Sequence, residues 1–298
     1  MGLLVFQISG CGKKSEGTPV GGEGYSPSAP AGQSPFNNPP AFTISEISYD
    51  SSVKSDYQEL IKKDLSLIAR SNFESDSEAQ TITGMASYTN RSMADWLTAR
   101  VRYVLGESYS LYTGLNTAKS SITYSPLVYS DIMTGLEASV TVMSNLGSAV
   151  YSAGKKSSTV YSLRINGIDI EAKSARVGII QIGAGLFDEE RFSLNSTAAS
   201  IARLGTFFHE ARHSDGNGES LGFSHAKCVS GTFAGEYACE NFTNGPYMVQ
   251  SVMLKKFYNL CGDCSSTDKT KLQALIADRR ERLMTGAKTG DPRPEKIQ

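Results

Sequence analysis

The segment from Thr206 to Ala226, TFFHEARHSDGNGESLGFSHA, holds His209, His213 and His225, which are all the histidines of a 298-residue chain. His209-Glu210-Ala211-Arg212-His213 places two imidazoles four residues apart. On a helix that spacing puts both on one face, within reach of a single metal ion. The glutamate beside the first histidine can then take a proton from a water acidified by the metal and pass it to a leaving amine. The pattern predicts His209 and His213 as ligands of one zinc ion and Glu210 as the general base of peptide-bond hydrolysis.

The element that must carry this motif reads NSTAASIARLGTFFHEARHS from Asn195, with a capping residue, helix-forming alanines and no strong breaker before Asp215-Gly216. Ala202 and Gly205 fall on the motif's face of that helix. Upstream, Tyr161 to Ile165 and Ile168 to Glu171 flank Asn166-Gly167, a hairpin signal, and Val177 to Ile182 is a further β-rich run. Three strands there are expected to form a small antiparallel sheet. Nearer the N-terminus, Ser55 to Gln58 resembles a capping box ahead of a stripe of Tyr57, Leu60, Ile61, Leu65 and Ile68, which predicts a helix over 56–70. Ser92 is expected to cap a second helix, Met93 to Leu105, ended by Gly106, with Trp96 in the core. Residues 107–150 carry no clear period. Downstream, Val249, Val252, Met253 and Phe257 predict a helix from about 246 whose apolar face packs beneath the motif helix.

With the motif late in a capped helix and a β-rich run before it, the stretch 177–260 resembles the zincin metallopeptidases. That resemblance implies an upstream strand edging a cleft, the motif helix as its floor, and a third protein ligand further on. The chain is also similar to bacterial secreted proteins that carry HEARH, then a Gly-Phe-x-His stretch, here Gly222 to His225, and an Asn-Gly-Pro-Tyr segment, here Asn244 to Tyr247. The metzincin branch extends the motif to a glycine and a third histidine; this chain supplies Gly216 but has Glu219 at the histidine position.

The third ligand has four candidates: Glu219, His225, Glu236 and Glu240. Glu219 stands at the metzincin spacing and needs a sharp turn at Gly216, whereas the spacing of Glu236 is similar to that of gluzincins. His225 has the plainest chemistry, because imidazole suits zinc and the glycines between 218 and 222 let the chain fold back over the helix end. His225 is the expected ligand. Tyr237 and Tyr247 are candidate hydrogen-bond donors to an oxyanion, with packing as their alternative role; Met248 is expected in the core. Asp215 to Glu219 imitates the start of an EF-hand, but Ser220 replaces the needed glycine and Ala226 stands where the closing glutamate belongs, so calcium is not expected.

With 40% apolar and 20% charged residues the chain has material for a folded core. A formal net charge of −1 without a basic cluster gives no footprint for nucleic acid or an anionic membrane surface. No run reaches membrane-spanning length. Near the N-terminus, Ile8-Ser9-Gly10-Cys11 resembles the lipobox of bacterial lipoproteins, which implies a lipidated Cys11 and removal of the residues before it. Residues 12–44 hold six of the ten prolines with many glycines and serines and are expected to be a disordered tether, followed by a single catalytic domain over 45–290. The other cysteines, Cys228, Cys239, Cys261 and Cys264, form an even set. Disulfides Cys228–Cys239 and Cys261–Cys264 are expected, with Cys228 to Cys261 or Cys264 as the alternative pairing. The competing reading is a zinc site of four cysteines, since Cys261 and Cys264 have zinc-knuckle spacing.

These readings converge on an α+β class: a zincin-like domain in which a small antiparallel sheet packs beside the motif helix, with a C-terminal helical, disulfide-containing part. The function expected is a zinc-dependent endopeptidase of the bacterial cell envelope, lipid-anchored or secreted, acting on protein, peptide or cell-wall peptide. The alternative is a non-catalytic envelope lipoprotein, a binding or structural module, with a closed metal site.

Overall fold

The computed structural model describes residues 31–71, 76–106, 139–140, 148–152, 161–165, 168–172, 178–182, 184–187, 189, 191–215, 223, 225–231, 233–236 and 238–292. Cys11 and the lipobox, residues 12–30 of the expected tether, Glu219 and Tyr237 lie outside them. No described helix is long and apolar enough to cross a membrane.

Helix α1 (Ser55–Arg70) forms on the predicted apolar stripe, but the capping box does not: Lys54 is the N-cap residue and makes no side-chain cap. Helix α2 (Ser77–Thr83), which sequence periodicity did not reveal, is capped by Asp76 and ends on Gly84 in the left-handed conformation. Helix α3 (Asn90–Thr98) is shorter than expected. Its cap is Thr89, with Ser92 at N3 closing a reciprocal box. The residues predicted to prolong it instead form a strand, because Val101, Tyr103 and Val104 are β-branched or aromatic and fit a pleated, buried surface better than a helix turn. Gly106 therefore ends a strand; a Cβ there would lie 2.1 Å from the Ser52 carbonyl oxygen.

The expected small antiparallel sheet is replaced by a mixed one. Strands β1 (Ser48–Tyr49), β2 (Val101–Gly106), β3 (Ser139–Val140), β4 (Ser148–Ser152) and β7 (Gly178–Ile182) lie in the order β1-β2-β7-β4-β3. β1–β2 and β2–β7 pair in parallel, whereas β7–β4 and β4–β3 pair antiparallel. The runs around residues 166–167 do not join it: β5 (Tyr161–Ile165) and β6 (Ile168–Ala172) form a separate two-stranded antiparallel pair. β7 was expected beside that hairpin, yet its Ile180 and Ile182 are buried in the main core, and a strand with buried apolar side chains gains more by pairing inside the larger sheet.

The motif helix α4 (Thr197–Arg212) starts at Ser196, whose hydroxyl accepts from the Ala199 N–H, and it is buried on nearly every side. It packs against α1, α3, β4 and α5 (Pro246–Tyr258), the last as predicted from its apolar stripe. Trp96 stacks on Phe208 with ring centroids 5.6 Å apart, and Phe208 meets Phe257 at 6.0 Å. Gly205 permits the closest approach, since a Cβ there would stand 2.6 Å from Leu254 Cδ2. Beyond α5 come α6 (Ser266–Glu281) and a parallel pair of β8 (Glu240–Phe242) with β9 (Leu283–Lys288). Cys261 and Cys264 are bonded across the α5–α6 connection, Cys228 and Cys239 across a loop before β8, so the four cysteines form two separate pairs and not one zinc site.

Residues 31–44, assigned to the tether by composition, pack onto the domain. Pro35 is buried, Phe36, Phe42 and Ile44 lie against the core, and the Ala41 N–H donates to the Ala69 carbonyl at 3.0 Å. Three large apolar side chains in a proline-rich stretch supply the contact that average composition concealed.

One buried ion pair ties α1 to α4. The Arg203 guanidinium grips the Asp64 carboxylate at 2.6 and 2.9 Å, both side chains being almost fully buried. Burial alone pushes the Asp64 carboxyl up, and the guanidinium opposes that. Arg203→Ala leaves the carboxylate buried without its partner and is expected to cost about 3–5 kcal/mol at neutral pH. The joint replacement of Asp64→Leu with Arg203→Met should recover most of that loss. Urea denaturation of the three chains measures both effects.

Candidate metal centre

At its C-terminal end α4 presents His209 and His213 one turn apart, as their spacing predicts, with His213 still in helical conformation as the C-cap residue. The rings lie 5.1 Å apart, centroid to centroid. This end of the helix is held by charge. The Asp215 carboxylate, two residues beyond His213, accepts from Arg100 Nε at 2.9 Å and from Arg212 Nη1 at 2.5 Å, all three side chains being buried. A second Arg212 nitrogen donates to the Ile82 carbonyl at the end of α2, and the Ser214 hydroxyl donates to the Arg100 carbonyl at 3.0 Å. Two guanidiniums around one carboxylate fix the turn after the motif to α2 and to the start of β2.

The segment carrying His225 is anchored on both sides. Phe223 is buried with φ of +22°, a strained backbone for a residue with a side chain, and is held by the Arg212 guanidinium 4.9 Å from its ring centroid and by Phe242 at 5.1 Å. A Cβ on Gly290 would stand 2.6 Å from that ring, so the glycine lets the chain after β9 close over it. On the other side, Ala226 and Cys239 exchange backbone hydrogen bonds of 2.8 and 3.1 Å, and the Cys228–Cys239 bridge follows, with Cα atoms 5.0 Å apart. By limiting the unfolded chain, a loop of this size contributes about 2–3 kcal/mol.

His225 is thereby brought to the motif. Its Nε2 lies 3.1 Å from His209 Nε2, its ring centroid 5.0 Å from that of His209 and 4.7 Å from that of His213. One nitrogen from each of the three imidazoles lies within 4.8 Å of the others, a set that could hold a metal ion. The donor set suits the metal expected from the sequence. Tetrahedral zinc with Zn–N bonds of about 2.0–2.1 Å places its ligand nitrogens about 3.3 Å apart. Burial lowers the pKa of His209 well below the ordinary histidine value, with repulsion from His225, Arg279 and Arg282 acting in the same direction, so the ring is neutral and its lone pair available. Glu210 is buried next to His209.

Tyr247, in the first turn of α5, closes one wall. Its ring stacks on His225 at 4.5 Å and meets His209 edge-on at 4.6 Å. Its hydroxyl accepts from Arg282 Nη1 at 3.2 Å, and its ring packs on the imidazoles. Met248 is buried in the core, as expected.

Of the other ligand candidates, Glu236 is exposed in the disulfide loop and lies outside the histidine cluster, and so does Glu240. Glu240 is fully buried against the N-terminus of α5, where it accepts from the Tyr247 N–H at 3.4 Å and leaves no room for a side chain at Gly245. Desolvation pushes its carboxyl up to about 8, against the pull of backbone N–H groups of Tyr247, Phe242 and Asn241 and of Arg212. Sequence reasoning missed Arg100, Arg212 and Asp215 as the anchor of the motif; the adjacency of Arg212 and Asp215 to the motif was visible, but not the partner 112 residues before Arg212.

Removing a ligand imidazole should abolish metal binding, whereas removing an acidic candidate should not. His225→Ala and His209→Ala are expected to lower zinc affinity by more than about 100-fold, and Glu236→Ala to leave it unchanged, in titrations against a chromophoric chelator. Glu240 predicts a pH dependence. Its folded pKa of about 8 lies above the unfolded value of 4.5, so the stability that its protonation carries is complete below 4.5 and lost as pH rises to about 8. Glu240→Gln, which imitates the protonated acid, should match the parent near pH 4.5 and exceed it by up to about 5 kcal/mol above pH 8. Comparisons with protein-family models, curated proteins and solved structures find no match.

Proposed function

We propose that the chain is a zinc-dependent hydrolase that cleaves peptide bonds, of the zincin kind that its motif resembles. The observation that carries this reading is the convergence of His225 on His209 and His213 with Glu210 next to the first ligand. His209, His213 and His225 would hold the ion. Zinc bound there would polarise the scissile carbonyl and acidify a water. Glu210 would take a proton from a water as its oxygen adds to the carbonyl carbon, and would deliver that proton to the amine nitrogen as the C–N bond breaks. Tyr247 keeps two of the imidazoles oriented, and the Asp215 cluster keeps the helix end fixed beneath them.

The two disulfides favour an oxidising compartment. With the lipobox-like Ile8 to Cys11 this supports an enzyme tethered to the bacterial cell envelope and acting on protein or cell-wall peptide.

Glu210→Gln separates this reading from a closed metal site in a binding module. The variant should retain one equivalent of zinc by elemental analysis while peptide hydrolysis falls by a factor of roughly 10³ or more. Undiminished hydrolysis in Glu210→Gln would refute the assignment of the base. Absence of hydrolysis in the zinc-loaded parent chain across a peptide library would favour the binding module.

A further inference from the structure

Arg279 stands in the last turn of α6, nine-tenths buried, with its guanidinium carbon 5.5 Å from the ring centroid of Tyr247, the residue that touches His209 and His225. Arg282 lies over the same ring at 4.8 Å. The two guanidiniums are thus one side chain away from the ligand imidazoles, and their charges act on His209. Among the described ion pairs they share one counter-charge. Asp278 binds Arg282 through Nε at 2.9 Å and Nη2 at 3.2 Å, and it also receives one nitrogen of Arg279. Arg282 is fully employed, because its Nη1 donates to the Ala238 carbonyl and to the Tyr247 hydroxyl, each at 3.2 Å. Arg279 is not. Its Nε has no hydrogen-bond partner among the described residues. Arg282 and, from the surface, Arg191 repel it, and Asp278 attracts it. Two buried guanidiniums thus share one half-exposed carboxylate beside the histidine cluster, where an under-paired cation is costly unless a further anion meets it.

We infer that Arg279, supported by Arg282, forms a subsite for a substrate carboxylate next to the metal centre, so that the preferred substrates are peptides with an acidic group close to the scissile bond. A guanidinium whose Nε lacks a partner has the charge and a donor to offer a carboxylate. The acid comes from an Asp or Glu side chain in an internal cleavage, or from the free C-terminus of the peptide. The inference deepens the peptidase reading and rests on it for the word substrate.

The test is calorimetric binding to the full-length, zinc-loaded Glu210→Gln chain. Three probes are compared: N-acetyl-Ala-Ala-Asp-Ala-amide, its Asn counterpart, and N-acetyl-Ala-Ala-Asn-Ala with a free carboxyl. One of the two acidic probes should bind at least tenfold more tightly than the neutral one, and which one does identifies the source of the carboxylate. Adding Arg279→Gln should remove the preference while leaving the neutral peptide's affinity in place; Arg279→Lys should keep part of it. A merely structural arginine would weaken all three probes alike. Equal affinity for acidic and neutral probes in the Arg279-containing chain, a requirement that no arginine variant need fold to meet, would overturn the subsite, as would a preference that survives Arg279→Gln. Hydrolysis by the parent without acidic preference sinks the subsite alone, whereas acidic binding without any hydrolysis by the parent sinks the peptidase reading and leaves an anion-binding site.

Discussion

The structure depends on a helix that is both the centre of the core and the carrier of its charges. α4 is buried over nearly its whole length, an environment that favours a helix apolar all round, yet it holds Arg203, His209, Glu210 and Arg212 in that interior. Burying charge is tolerable only where partners are fixed, so the surrounding elements are constrained by what α4 needs. α1 supplies Asp64 to Arg203. The start of β2 supplies Arg100 to Asp215, and α2 ends where its Ile82 carbonyl can receive Arg212. Each contact joins segments more than 100 residues apart, which is why the motif helix can be held rigid by short elements.

Arg212 links this scaffold to the metal centre. Its guanidinium pairs with Asp215, donates to α2 and lies against the Phe223 ring, so one side chain touches both the turn after the motif and the segment leading to His225. Arg212 occupies the second variable position of the H-E-x-x-H pattern. A motif that specifies only His209, Glu210 and His213 leaves this position open, and in this chain it has a structural role: His225 is placed by the residue next to His213. The Cys228–Cys239 bridge and the closure of Gly290 over Phe223 complete that placement from the far side.

What the sequence made legible was local. The imidazole spacing, the apolar stripes of α1 and α5 and the nearness of the paired cysteines are statements about residues a few positions apart, and the structure has each of them. What it hid was set by distant neighbours. Val101 to Gly106 continue a helical text, but the parallel partners β1 and β7 are worth more to them than another turn of α3. β7 likewise follows the hairpin in sequence and leaves it in space. Pro35 to Ile44 read as tether because composition averages over Phe36 and Phe42, whose individual contacts decide the matter. In the candidate site the two helical histidines were fixed by spacing and His225 was expected from its chemistry, whereas setting aside two of the carboxylates needed the fold: Glu240 goes to the N-terminus of α5 and Glu236 to an exposed loop.

The same division explains why the arginines near the centre escaped notice. Arg279, Arg280 and Arg282 belong to a charged run, RRERL, in which alternate faces of a helix end would ordinarily meet water. Arg280 does, pairing with Glu78 on the surface, while its neighbours turn inward onto Tyr247. The difference comes from the direction in which α6 ends and β9 begins, because the β8–β9 pairing draws Arg282 under Ala238 and leaves Arg279 behind the tyrosine. Tyr247 is therefore in contact with the ligand imidazoles on one side and with buried positive charge on the other. Burial disfavours protonation of His209, and the charge placed there acts in the same direction, so that imidazole stays neutral.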